Sequence, residues 1–204
     1  MSTDTQERED FESRWPREGD RLFVESAWAY DAHVVRDPGE RFYRMPVGYK
    51  RAGDILVDRA ITDVVERPDV IYAALFCYRQ SIELFLKKLV DTFGTGKGYS
   101  PKITHDLNLL WERFMSIVNE RSTDEAIGLS VAQRLIAEMH AADQRSDGFR
   151  FPTDRGDATF TFGDRGIDLA NLREVMQGLV NFFECVYLAF SHQDDMASEA
   201  MEYW

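Results

Sequence analysis

Four residues able to do chemistry fall in two adjoining stretches of this 204-residue chain: Arg79 and Glu83 in YRQSIELFLKKLV, and His105 and Asp106 in PKITHDLNLLWERF. An imidazole can shuttle protons near neutral pH, a carboxylate can orient it, and a guanidinium can hold an anion. The same residues also have ordinary structural uses. Arg79 and Glu83 stand at i,i+4 and can pair with each other, while His105 and Asp106 can serve the start of a helix. If the two stretches are antiparallel helices joined by a short linker, His105 lies about five turns from Arg79 and the two halves are not expected to meet.

A third group, Asp143, Ser146 and Arg150, lies in DQRSDGFRFP. On a strand, Arg150 would point away from both Phe149 and Phe151, either into solvent or onto a carboxylate such as Asp143. The first arrangement leaves a guanidinium for phosphate. The second is a clasp that anchors a hairpin.

Other chemistries lack their signatures. GTGKGYS has neither the spacing of a Walker loop nor a hydroxyl residue directly after its lysine, and it follows a helical pattern rather than a strand. There is no HExxH, CxxC or GxSxG motif, and the four histidines are dispersed at positions 33, 105, 140 and 192, so neither a metal nor a cofactor is expected. The net charge of -12 is concentrated at the ends: residues 1–20 carry seven acids and three bases, and residues 194–204 carry four acids and no base. The body is only mildly acidic, which weighs against strong DNA binding and less against RNA. No apolar run approaches the roughly 18 residues of a membrane span, and the N-terminus lacks the basic and apolar regions of a signal peptide. Cys77 and Cys185 sit among apolar neighbours and read as buried free thiols, which fits a cytoplasmic setting.

The elements that must position these residues are mainly helical. Residues 1–20 read as a flexible acidic arm. A short helix is predicted from Arg21 to about Val34, ending at Asp37-Pro38-Gly39, followed by an ordered loop through ERFYRMPVGYKRAG with Pro46, Gly48 and Gly53. Asp54 then caps a helix to Glu66, with Arg67-Pro68 as its stop. Asp69 to Phe93 carries Leu75, Tyr78, Ile82, Phe85, Leu86 and Leu89 at helical spacing and is apolar nearly all round, apart from Arg79, Gln80, Glu83 and Lys87. This is the pattern of a central helix, ended by Gly94. Thr104 opens the next, with Leu107, Leu110, Trp111, Phe114 and Ile117 or Val118 inward. A capping box at Ser122 to Glu125 opens another, in which Ile127, Val131, Leu135 and Met139 form a row. Phe149, Phe151, Phe160 and Phe162 flank a Pro/Asp/Gly-rich turn and predict a small β-hairpin. Asp168 caps the last helix. The expected architecture is an all-α, up-and-down bundle of about five long helices with that hairpin inserted before the last one. It forms one domain over residues 21–192, with an acidic tail over 193–204.

Two of these segments resemble the HEPN family. Tyr78 to Phe114 is similar to the paired helices of HEPN domains, with their Arg-Gln, Glu, Leu-Lys and Thr-His-Asp-Leu landmarks. Asp143 to Gly156 resembles the Asp, Ser, Phe-Arg-Tyr-Pro segment of some bacterial HEPN-like proteins, with Phe151 where Tyr is common. Residues 1–67 lie outside the likeness. The resemblance implies a dimerising helical bundle of a family that includes ribonuclease toxins, phage-defence effectors and catalytically silent adaptors. Active members carry Arg and His four to six residues apart, and here only Arg134 and His140 fit. Such a pair could take a 2′-hydroxyl proton and stabilise a charged phosphorane without metal. Leu135 departs from the polar residue usual after the arginine, and six helical steps set the two side chains about 120° apart. The resemblance therefore implies a non-catalytic dimerisation or protein-interaction module in a bacterial stress or phage-defence system, with a metal-independent endoribonuclease as the alternative. The partners it implies are a second copy, another protein or RNA.

Overall fold

The computed structural model describes residues 15–23, 32, 34–94, 104–121, 128–152 and 163–202. The chain divides into two units, residues 1–35 and 36–204, and the helices described below all belong to the second. The short helix expected from Arg21 to Val34 falls largely outside the described residues.

The first helix, α1, runs from Pro38 to Thr62. This corrects two expectations, because Asp37-Pro38-Gly39 starts a helix rather than ending one, and ERFYRMPVGYKRAG is helical rather than a loop. The local chemistry explains why. The Asp37 carboxylate accepts from the Glu40 amide at 2.8 Å, Pro38 occupies a first-turn position where its missing N–H is not needed, and Glu40 suits the positive end of the dipole. The apparent breakers serve packing against the next helix. The Pro46 carbonyl accepts from the buried Ser81 hydroxyl at 2.8 Å, and a Cβ added at Gly53 would lie 2.5 Å from the Tyr78 ring. Asp54 is not a cap but an interior residue of α1, paired with Lys50 at 2.7 Å and accepting from the Tyr78 hydroxyl at 2.9 Å. Burial, and then this carboxylate, push the Tyr78 phenol well above its usual range.

After a turn over residues 64–66, α2 spans Arg67–Phe93, with Pro68 in its first turn. It is the central helix. It packs most extensively on α1 and also meets the third and fifth helices, and its anticipated apolar residues are all buried. The third helix, α3, covers Leu107–Arg121 and buries all six residues expected of its inner face. Its cap is Asp106 rather than Thr104: the Asp106 carboxylate accepts from the Leu109 amide at 3.0 Å, while the Thr104 hydroxyl accepts from the Asp106 amide.

The fourth helix, α4, covers Leu129–Ala142; the capping box proposed at 122–125 lies outside the described residues. Its buried positions are Ala132 and Ile136, with Met139 half-buried and Val131 exposed. Four-residue steps drift about 40° each around a helix, so the part of the row from Val131 to Met139 sweeps off the face that meets the bundle, and Ile127 lies outside the described residues. Residues 147–152 then form turns and a bend, with the Arg150 and Phe151 amides both donating to the Asp147 carbonyl. The first strand of the expected hairpin is thus a helix-like turn, with Phe149 buried and Phe151 exposed; its second half lies outside the described residues. No strand occurs among the described residues.

The last helix, α5, extends from Leu169 to Glu202 and is capped by Asp168 as expected, its carboxylate accepting from the Asn171 amide at 3.0 Å. It continues through the segment read as an acidic tail, where residues 192–201 are all exposed. Aromatic rings join it to the centre: Phe183 stacks on Phe85 at 5.3 Å, and Phe190 meets Phe93 edge-on at 5.3 Å. The architecture is an all-helical bundle, and no helix among the described residues is long and apolar enough to cross a membrane. Both cysteines are free. Cys77 is half-buried, its thiol pushed up by burial, whereas Cys185 is on the exposed side of α5 and not in the core.

Candidate functional site

Arg79, Glu83 and Lys87 succeed one another at four-residue steps along α2 and lie on one stripe of it. All three are buried, the first two completely. Ion groups removed from water need hydrogen-bonding partners, and this stripe obtains them from within itself and from two other parts of the chain, His105 and Asp143. Arg79 donates through Nη1 to Glu83 at 2.8 Å, through Nε to the Asp143 carbonyl at 2.9 Å, and through Nη2 to the His105 carbonyl at 2.7 Å. Its Nε also stands 3.4 Å from the Asp143 carboxylate.

Glu83 in turn accepts from Lys87 at 2.8 Å and from Nδ1 of His105 at 2.9 Å. Burial alone would raise its carboxyl, but the hydrogen bond and charge of Lys87, with those from Arg79 and His105, outweigh it and hold Glu83 below the usual carboxylate range. Asp143, at the end of α4, accepts from the Asp147 and Gly148 amides at 3.0 and 3.1 Å. That ties the following turn, where buried Ser146 adopts a left-handed φ of 62°, to the same cluster. Two cations and two carboxylates balance, and they fasten α2, the entry to α3, the end of α4 and the turn after it.

The expectation that Arg79 and Glu83 do not meet His105 is therefore corrected. His105 returns level with Glu83, about 15 Å back along α2 from Phe93, a distance that the eleven intervening residues reach easily. The expected i,i+4 pairing of Arg79 with Glu83 and the capping role of Asp106 are both present. The His105 ring remains 61% exposed while its Nδ1 contacts the Glu83 carboxylate. The clasp foreseen for Arg150 also changes hands. Asp143 is held by Arg79, whereas Arg150 lies over the Phe76 and Phe151 rings at 5.8 and 5.4 Å. An arginine can replace a carboxylate partner by stacking when the backbone is a turn rather than a strand.

Arg134 and His140 both lie on α4 but engage different neighbours. Arg134 is exposed and faces Glu138 at 4.0 Å; His140 is mostly buried, its Nδ1 3.7 Å from the Asp106 carboxylate. Lys87 stands at i,i+4 from Glu83, the second opposite-charge pair of this stripe, and joins the cluster although it is not among the candidate site residues that the sequence singles out. Its signal is a lysine two turns from Arg79 on an otherwise apolar helix, where a buried Glu83 needs a second cation.

Compared with family models, with curated proteins and with solved structures, the chain gives no match in any of the three.

Proposed function

We propose that this protein is a non-catalytic, HEPN-like dimerisation or protein-interaction module serving a bacterial stress or phage-defence system. The observation that carries the reading is that Arg79, Glu83 and Asp143 are committed to internal contacts while Arg134 and His140 do not converge. Arg79, Glu83 and Asp143 are buried and bonded to one another or to backbone, and Arg134 and His140 turn to separate carboxylates. A cleavage site needs both groups to reach one phosphate, and side chains about 120° apart on one helix do not converge within a single chain. Exposed apolar side chains support an interaction role: Val64 and Val65 in the turn between α1 and α2, with Ile61 and Tyr72 on the flanking helices, leave apolar surface uncovered at one corner. The defence setting rests on the HEPN resemblance.

The test pairs two measurements. The purified protein and an Arg134→Ala/His140→Ala variant are incubated with total RNA and tRNA without divalent metal, and light scattering gives the mass in solution. No cleavage by either protein, with a mass of twice the chain, is expected. Cleavage by the wild type that disappears in the variant overturns the reading in favour of a ribonuclease; a monomer that captures no partner overturns the interaction role.

A further inference from the structure

Lys88 follows Lys87 in sequence but has a different environment. Lys87 turns inward to Glu83, whereas Lys88 points between α1 and α5, its ammonium 3.9 Å from the centre of the Tyr187 ring and 5.0 Å from that of Tyr43. A long lysine usually extends its charge to water and leaves its stem on apolar surface. Here the charge itself is half-buried against ring faces. Burial lowers its proton affinity and the nearby, exposed Glu184 partly restores it. Among the described residues the ammonium meets ring faces and the field of Glu184 rather than a hydrogen-bonded carboxylate.

The same rings wall a cavity of about 260 Å³. Its floor is apolar, made by buried Phe85, Leu89 and Phe183, and its mouth is framed by Tyr43, Val47 and Leu188, all exposed. At about 30 Å³ per water molecule, the space suits a ligand the size of one ring with a short side arm. An apolar floor with a lysine half-buried over it and the exposed Glu184 on the same lining is the composition of a small-molecule site rather than of a helix seam. Lys88 fixes the polar end, because its ammonium is held against the ring faces while the Glu184 carboxylate is exposed to solvent. A carboxylate would give the partly desolvated ammonium the charge-assisted hydrogen bond that ring faces cannot.

We propose that the Lys88 cavity binds a small monocarboxylate with an aromatic or compact apolar body, the carboxylate on Lys88 and the body on Phe85 and Phe183. This site is separate from the Arg79–Glu83 cluster and stands independently of the interaction-module reading. It predicts charge-selective binding. In nuclear magnetic resonance titrations of the 204-residue chain, 3-phenylpropionate should shift the amide signals of Val47, Lys88 and Leu188, and the uncharged 3-phenylpropionamide should bind about tenfold more weakly. Lys88→Gln should reduce carboxylate affinity to that of the amide. Leu188→Asp, at an exposed position where folding is not at stake, should weaken the carboxylate by a larger factor than the amide. Equal binding of acid and amide, binding unaffected by both substitutions, or no binding of the acid overturns the proposal.

Discussion

α2 and α4 carry the same short alphabet of charge in different surroundings. On α2, Arg79 and Glu83 stand at i,i+4, bonded at 2.8 Å and inaccessible to solvent; on α4, Arg134 and Glu138 stand at the same spacing, 4.0 Å apart, with side chains 67% and 74% exposed. Water decides what each pair is worth. An exposed ion pair contributes about 0–1 kcal/mol, since solvent screens it and holding two long side chains together costs entropy. Removing one partner of a buried pair costs about 3–5 kcal/mol, because the other charge is left without compensation. Spacing identifies which side chains can meet, and burial determines whether their meeting matters.

The largest effect follows at Glu83. Glu83→Ala strands Arg79 and Lys87 in the core and should lower unfolding free energy by about 3–5 kcal/mol, read from the midpoint of urea denaturation. Next is Gly53→Ala, which drives a methyl group into the Tyr78 ring; overpacking of this kind costs about 1–3 kcal/mol and should show as a lower melting temperature. A cap comes third. Asp168→Ala removes the acceptor for the Asn171 amide and should cost about 1 kcal/mol, with the loss localised to the start of α5 by hydrogen exchange. Arg134→Ala should stay within about 0.5 kcal/mol of wild type.

The comparison also carries a pH signature. The Glu83 carboxyl is held below its ordinary value of 4.5, so its stabilising contribution is fully present above that pH and is lost as pH falls through the lowered folded value. Denaturation curves from neutrality down into the acid range should show stability dropping below about pH 4.5, with a shallower drop in Glu83→Gln, whose residue 83 no longer titrates. An equally steep drop in the variant would assign the acid sensitivity to other carboxylates.

The inner faces of α2 and α3 were readable from sequence because helical periodicity records burial directly: Leu75, Ile82, Leu110 and Phe114 recur where a bundle needs them and are buried. The start of α1 was misread because Asp-Pro-Gly is compatible with a turn and also with an N-cap followed by a first-turn proline; only the packing of Pro46 and Gly53 against Ser81 and Tyr78 separates the two. The hairpin failed for a related reason. Alternating phenylalanines match a strand, but the Asp147 carbonyl gathers two amides into a tight turn first. Within the candidate site, the Arg79–Glu83 pair was legible as an i,i+4 contact, whereas the approach of His105 and Asp143 depends on where distant segments return, which local spacing does not encode.

A double-mutant cycle tests the contrast most directly. Arg79→Met and Glu83→Leu, singly and together, are compared with Arg134→Ala and Glu138→Ala in the same way by urea unfolding. The buried pair should show a coupling above about 2 kcal/mol and the exposed pair less than about 0.5 kcal/mol. Similar couplings for the two pairs would contradict the account, because burial would then not be what distinguishes the polar centre of the bundle from its surface.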